Sequence, residues 1–238
     1  MKFIKLFSTL TVLLYIASLS AQNDTATEVE MTNVFNSGHA GSNFGMSTYF
    51  VNPKRTIDGT VYLFDNWENY AVIYATNHQR YLLHNINLNI QRNSFESKVG
   101  KDSLFAFSFN NIEKFVINGR VFKNYYWDND NRVYEVIADG KNFEILKGFS
   151  VKYIEGSPNP MLNRNNDRYV RYEKYYVKKD NKIGFLSLRK SRILRLLDLN
   201  DQQRNKVLAF VDERKLSFKK EEDLRVIIDF ASKLKYSS

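Results

Sequence analysis

The chain predicts an α+β protein: an antiparallel β-rich domain of about 8–11 strands in successive hairpins, then a small C-terminal bundle of two to three helices. Three observations point to it. Asn118-Gly119 separates Ile112–Ile117 from Arg120–Tyr125, and Asp139-Gly140 separates Arg132–Ala138 from Lys141–Lys147. A type I′ turn needs φ > 0 at both central residues, which Asn, Asp and Gly tolerate between β-rich runs. Aromatic residues make up 15% of the chain, with 18 Phe and 15 Tyr, and such side chains suit half-buried pleated surfaces. After Ser187 the apolar spacing changes from the period of a strand to that of a helix.

Taken in order, residues 1–21 read as a secretory signal peptide. Lys2 and Lys5 form a basic start, Leu6–Ile16 is a mainly apolar run, and Ala17-Ser18-Leu19-Ser20-Ala21 supplies small residues for cleavage. The run is shorter than the roughly 20 residues a spanning helix needs. The expectation is an exported protein, periplasmic or secreted. It has no cysteine, so disulfides and a lipobox anchor are both excluded. No later run approaches membrane-spanning length. The net charge is +9, and two of the cations, Lys2 and Lys5, leave with the signal. The remaining positive charge is scattered; it serves solubility first and attraction to acidic surfaces second.

Residues 22–58 are rich in Asn, Ser, Thr and Gly, as in Asn36-Ser37-Gly38-His39-Ala40-Gly41. They bury too little apolar surface to offset ordering entropy and read as a flexible lead-in, with Met46–Val51 able to dock as an edge strand. Residues 59–185 form the expected β domain, opened by Gly59–Trp67. Tyr70–Thr76 and Gln79–Asn85 flank Asn77-His78; a two-residue turn sets Tyr74 opposite Tyr81 and Ile73 opposite Leu82. Ile86, Leu88 and Ile90 alternate with Asn87, Asn89 and Gln91, the pattern of a strand with one wet face. Ser94–Val99 and Ser103–Phe109 follow, with Phe105, Phe107 and Phe109 on one face.

About Asn118-Gly119, Phe115 pairs with Phe122 and Val116 with Val121, and Lys114 opposes Lys123, which puts that end in water. About Asp139-Gly140, Val136 pairs with Phe143 and Tyr134 with Ile145 to make a core face. Phe149–Ile154 is a strand, Gly156–Asp167 a break with two prolines, and Arg168–Lys178 a strand rich in Tyr. Residues 186–238 form the helical unit. Leu188–Leu197 is a short helix. Asn200 with Gln203 forms a capping-box-like pair ahead of Val207, Leu208 and Phe210–Val211. Ser217 can cap a third helix whose Leu224, Ile227, Ile228, Ala231 and Leu234 make one stripe.

Several stretches carry a resemblance. They are the signal ending Ser-Leu-Ser-Ala-Gln, Gly59-Thr60-Val61-Tyr62-Leu63-Phe64, Val133-Tyr134-Glu135-Val136-Ile137-Ala138-Asp139-Gly140, Phe143-Glu144-Ile145-Leu146-Lys147, Tyr175-Tyr176-Val177-Lys178-Lys179, and Lys215-Leu216-Ser217-Phe218-Lys219-Lys220-Glu221-Glu222-Asp223-Leu224. From Gly59 to the C-terminus the chain resembles a group of uncharacterised secreted proteins of Bacteroidota bacteria, a family of unknown function. The resemblance implies the envelope of a Gram-negative exporter and no substrate. Asp24-Thr25-Ala26 and Asp102-Ser103-Leu104 look like the short O-glycosylation acceptor sites of these bacteria.

No residue set amounts to a catalytic, cofactor or metal signature. His39, His78 and His84 form no HxH or HxxxH pair and have no cysteine beside them, so they read as turn and strand histidines. Asp128-Asn129-Asp130-Asn131 begins like a calcium loop, but Arg132 and Val133 stand where a ligand and Gly are needed; it reads as a polar turn. Glu135 and Glu144, opposed in the assumed register, have the arrangement of a glycosidase carboxylate pair, although two carboxylates on a solvated sheet look the same. Tyr125-Tyr126-Trp127 and the Tyr-rich strand form a candidate aromatic and basic binding surface. Three classes follow: a non-enzymatic envelope module binding a protein or glycan, a hydrolase using Glu135/Glu144 or Asp65, and a lipid or small-ligand carrier with a cavity lined by Phe105, Phe107 and Phe109. The first is the reading preferred. Export argues against nucleic acid, and no cofactor is implied.

Overall fold

The computed structural model describes residues 28–36, 45–49, 57–100, 103–127, 129–157 and 166–236. The expected signal peptide, His39, Asp24-Thr25-Ala26, Asp102, Asp128 and most of the Gly156–Asp167 break lie outside them. The fold is mixed α+β. Its elements are β1 (Glu28–Glu30), α1 (Met31–Asn36), β2 (Gly45–Tyr49), β3 (Ala71–Ala75), β4 (Arg80–Leu83), β5 (Ile86–Asn89), β6 (Ser94–Lys98), β7 (Ser103–Phe107), β8 (Ile112–Ile117), β9 (Arg120–Trp127), β10 (Asp130–Gly140), β11 (Phe143–Ile154), β12 (Arg168–Lys179), β13 (Lys182–Phe185), α2 (Lys190–Leu197), α3 (Asp201–Glu213) and α4 (Glu221–Tyr236). There are two sheets where successive hairpins suggested one. A nine-stranded sheet runs β1-β4-β3-β8-β9-β10-β11-β12-β13, and a four-stranded sheet runs β2-β7-β6-β5. All described pairings between strands are antiparallel except β1 with β4.

The inner face of the long sheet carries two apolar cores. One lies against the four-stranded sheet and is built of Phe rings: Phe95, Phe115 and Phe122 are fully buried, and Phe95 sits 4.2 Å from Phe115 and 5.6 Å from Phe122, centroid to centroid. Phe105, Phe107 and Phe109 belong to the same packing, with Phe107 and Phe109 each edge-on to Phe115. They fill the interior with ring contacts. The other core lies under the helices, where Ile137, Ile145 and Phe143 meet Leu224, Ile227 and Ile228. The helical stripe and the Asn200–Gln203 capping box appear as expected. Ser217 does not cap α4; its hydroxyl receives the Lys219 N–H in the preceding turn, and Asp223 reaches back to the Ser217 N–H.

Four expectations change. Within the lead-in, β1 pairs with β4, Met31 is fully buried, and Phe35 packs 4.8 Å from Phe105, whereas the edge strand expected at Met46–Val51 is present as β2 of the small sheet. The β3–β4 turn holds three residues, with His78 at φ 67°, so Ile73 faces Tyr81 and Tyr74 faces Arg80. Asn87 and Asn89 are buried, since the segment around Tyr62–Asn66 covers them: the Asn87 amide bonds the Phe64 N–H and the Phe64 and Asn66 carbonyls. Short amide side chains thus extend an isolated Tyr62–Asn89 bridge, and the alternation signals a covered polar layer in place of a wet face. Lys114 and Lys123 are both half-buried; Lys114 lies over the Tyr74 ring and Lys123 bonds Glu144.

The two glycine hairpins diverge. Asn118 and Gly119 have φ of 50° and 78°, and Phe115 pairs with Phe122 as a type I′ turn requires. In the other, Gly140 pairs with Phe143, so the turn is Lys141-Asn142, and the register shifts again between Val136 and Ala138. Gly140 serves packing, not φ > 0: a Cβ there would stand 2.6 Å from the Phe143 ring. Tyr134 therefore pairs with Gly148 and Val136 with Leu146, both off the inner core face. The carbonyl of Ile137, at the bulge, accepts a 2.7 Å bond from Arg225 Nε of α4, which ties the helical unit to the irregularity.

Candidate functional site

The register shift separates the two carboxylates. Glu135 pairs with Lys147, and Glu144 lies three residues from Lys147 along an unbroken β11–β12 ladder, so the two side chains leave opposite faces. They do not form a glycosidase pair.

Glu135 points inward, between the two apolar cores, and is 1% exposed. Arg120 donates to both its oxygens, Nε at 3.0 Å and a terminal nitrogen at 2.7 Å, a bidentate fork. Lys147 lies 3.5 Å away and Arg225 3.7 Å. Arg120 also stacks over Phe64 and Phe122 at 5.3 Å each. Lys147 continues to Glu221, at the start of α4, at 2.8 Å. Glu221 also accepts from the Tyr175 hydroxyl. Burial alone pushes the Glu221 carboxyl up; bonds from Lys147 and Tyr175, with the charges of Lys147 and Arg225, bring it below its ordinary value. These charges satisfy one another and join the β10–β11 hairpin to α4. Asp65 is an exposed partner of Arg171 at 3.1 Å.

Glu144 points outward. Lys123 donates to it at 2.7 Å and the Tyr125 hydroxyl at 2.6 Å, and Lys178 lies at 3.4 Å. Burial alone would raise its pKa; the bonds from Lys123 and Tyr125 and the charges of Lys123 and Lys178 lower it instead. Burial raises the Tyr125 hydroxyl, and the Glu144 carboxylate beside it adds to the rise, so it remains a donor.

Around Glu144 the outer face of β9–β13 is aromatic and basic. The ladder aligns Lys123, Tyr134, Gly148 and Lys174 across four strands, and beside them Val136, Leu146, Tyr176 and Phe185. Tyr134 and Tyr176 meet edge-on at 5.3 Å, and Tyr176 stacks on Phe185 at 4.9 Å. Gly148 makes this possible: a Cβ would stand 2.9 Å from the Tyr176 ring and 3.1 Å from that of Tyr134. Leu146 lies beneath, fully buried. Phe185 is 71% exposed and Tyr172 41%. Lysines lie over three of the outer rings: Lys178 over Tyr125 at 4.9 Å, Lys174 over Phe185 at 5.5 Å and Lys152 over Tyr172 at 5.6 Å. A shallow cleft of about 150 Å³ opens between Trp127, Arg132, Tyr134, Tyr176 and Phe185.

Of the aromatic candidates in sequence, Tyr125 and Trp127 belong to this face, while Tyr126 projects from the other side of β9, 68% exposed. Tyr172 and Tyr176 are outward, and Tyr169 and Tyr175 alternate away from them. Phe185 and Gly148 carry much of the geometry without having been singled out. Phe185 was legible: Asp180-Asn181, both at positive φ, form a hairpin turn into β13. Gly148 had no sequence signal, since its role is the space it leaves for rings from two other strands. His78 is in its turn, and His84 is exposed with its ring 5.1 Å from Tyr70. Asn129 stands in the turn before β10, and Asp130 and Asn131 open that strand, where Arg132 bonds Asp130. Among the described residues no group of three or more His, Asp or Glu is placed to hold a metal ion, and no helix is long and apolar enough to cross a membrane. Neither protein-family models, nor curated proteins, nor solved structures give a match to this chain.

Proposed function

We propose that this chain is an exported envelope protein, periplasmic or secreted, of the Bacteroidota group it resembles, and that it acts as a non-enzymatic module binding a protein or glycan. The observation that carries the reading is the outer face of β9–β13: exposed rings and lysines on a rigid sheet, over an interior already filled by Phe packing. Exposed aromatic side chains on a rigid scaffold supply large contact area at small entropic cost. Glu144 on this face and Glu135 beneath it are engaged by cations, an arrangement suited to holding shape more than to exchanging protons. Export rests on the leader pattern of residues 1–21.

Co-purification tests the reading. The chain without its leader, immobilised and exposed to solubilised native envelope, is expected to retain one reproducible protein or glycan, and a Tyr172→Ala/Phe185→Ala variant is expected to lose it. Retention of the same partner by the variant, or capture of free lipid alone, would remove the outer face from the function.

A further inference from the structure

We infer that the occupant of the outer face is an acidic polysaccharide, one bearing carboxylate or sulfate groups along its chain. The inference rests on the binding-module reading and narrows its partner. Charge and ring placement argue for it together. Strand alternation and register put Lys123, Arg132, Lys152, Lys174 and Lys178 on this face with three described acidic residues of β9–β13, Asp130, Asp139 and Glu144. Two of the three are paired, Asp130 with Arg132 and Glu144 with Lys123 and Lys178, and Asp139 is exposed at the turn end of β10. Among the described residues Lys152 and Lys174 are ion-paired with no carboxylate; each lies against a ring, Tyr172 or Phe185. The face is therefore basic in excess of its own acids, in a chain that stays net positive after Lys2 and Lys5 leave with the leader.

The lysines also separate a glycan from a protein. Lysine is depleted at protein–protein interfaces because a compact, strongly hydrated ammonium is costly to desolvate. A hydrated polyanion lets each ammonium keep much of its water, while long-range attraction still gathers the chain onto the face. The rings supply the second element. Phe185 and Tyr172 expose broad apolar surface, against which the C–H faces of a sugar ring can lie with a lysine alongside to meet its charge. The surface is a shallow platform spanning strands spaced about 4.8 Å apart, which suits an extended polymer better than a small enclosed ligand.

The test is affinity electrophoresis of the chain without its leader, in native gels containing polygalacturonate, chondroitin sulfate or neutral dextran. Retardation by at least one acidic polymer and not by dextran is expected. Tyr172→Ala/Phe185→Ala and, separately, Lys152→Gln/Lys174→Gln should each weaken it by about tenfold or more. All four positions are exposed, and unchanged circular dichroism and melting of each variant would show that folding is intact. Equal retardation by dextran would overturn the acidic requirement and leave a glycan-binding module. Retardation that survives both double variants would overturn the placement. No retardation by either acidic polymer, binding confined to vesicles of phosphatidylglycerol and phosphatidylcholine, or tighter binding to a single-stranded oligothymidylate would overturn the inference. In those cases a face-dependent protein partner in the co-purification would still leave the binding-module reading standing.

Discussion

Glu135 and Glu144 sit on the two strands of one hairpin and teach different lessons. Glu135 is inside the molecule, 1% exposed, between two apolar cores, with its charge distributed over Arg120, Lys147 and Arg225. Glu144 is on the outer face, held by Lys123, Tyr125 and Lys178 beside an exposed row of rings. Both are ion-paired, yet the first belongs to a layer that joins sheet to helices and the second to a surface that faces solvent. Burial decides what each pair is worth. A buried charge that loses its partner leaves another charge without water or counter-ion, whereas a partly wet one recovers hydration.

The comparison breaks most directly at the buried layer. Glu135→Ala is expected to cost about 3–5 kcal/mol in urea unfolding, because it empties a fully buried position, takes the fork from Arg120 and removes a carboxylate from the nearly buried Lys147. Phe95→Ala, in the ring core, is expected to cost about as much, 3–5 kcal/mol, by leaving a cavity. Glu144→Ala should cost about 1–3 kcal/mol, because Lys123 and Lys178 keep access to water; a loss equal to that of Glu135→Ala would sink the distinction between the faces. Gly148→Ala is expected to cost about 1–3 kcal/mol through the forced shift of Tyr134 and Tyr176, with a change in near-ultraviolet circular dichroism as its signature. Wild-type rings undisturbed by the added methyl would contradict the packing described.

A smaller effect concerns pH. Glu144 and Glu221 bind their protons less tightly folded than unfolded, since the net shift of each is downward from 4.5. Their stabilising contribution is complete above that ordinary value and is lost as pH falls through the lower folded value. Glu221→Gln should therefore lower stability at neutral pH and flatten the further loss on acidification below 4.5, as followed by melting temperature across a pH series. A variant with the same acid dependence as the wild type would rule out that contribution. The smallest stability effect is expected at Phe185→Ala, within about 0.5 kcal/mol, because the ring is largely in water and its removal opens no cavity.

The α+β class, the helical stripe of α4, the Asn200–Gln203 capping box and the Asn118-Gly119 turn were all legible in the sequence. Each depends on contacts within a few residues: an amide bond one turn away, a backbone φ, a period of side chains along one helix. Asp139-Gly140 had the same local signature and a different outcome, because the space Gly140 leaves for the Phe143 ring, together with a bulge docked by Arg225, outweighed the turn preference. The alternation at Asn87 and Asn89 was equally plain, but whether water or the Tyr62–Asn66 segment covers those amides depends on chain more than twenty residues away. The candidate face divides along the same line. Its residue types were visible as Tyr, Trp and Lys in β-rich runs. Tertiary structure alone decided that Tyr134 faces outward, that Gly148 makes room for two rings, and that Glu135 and Glu144 lie on opposite sides. The side-chain period of a strand is two, so the bulge between Val136 and Ala138, invisible to local pattern, turned Tyr134, Glu135 and Val136 to the opposite faces while Phe143 and Ile145 kept theirs.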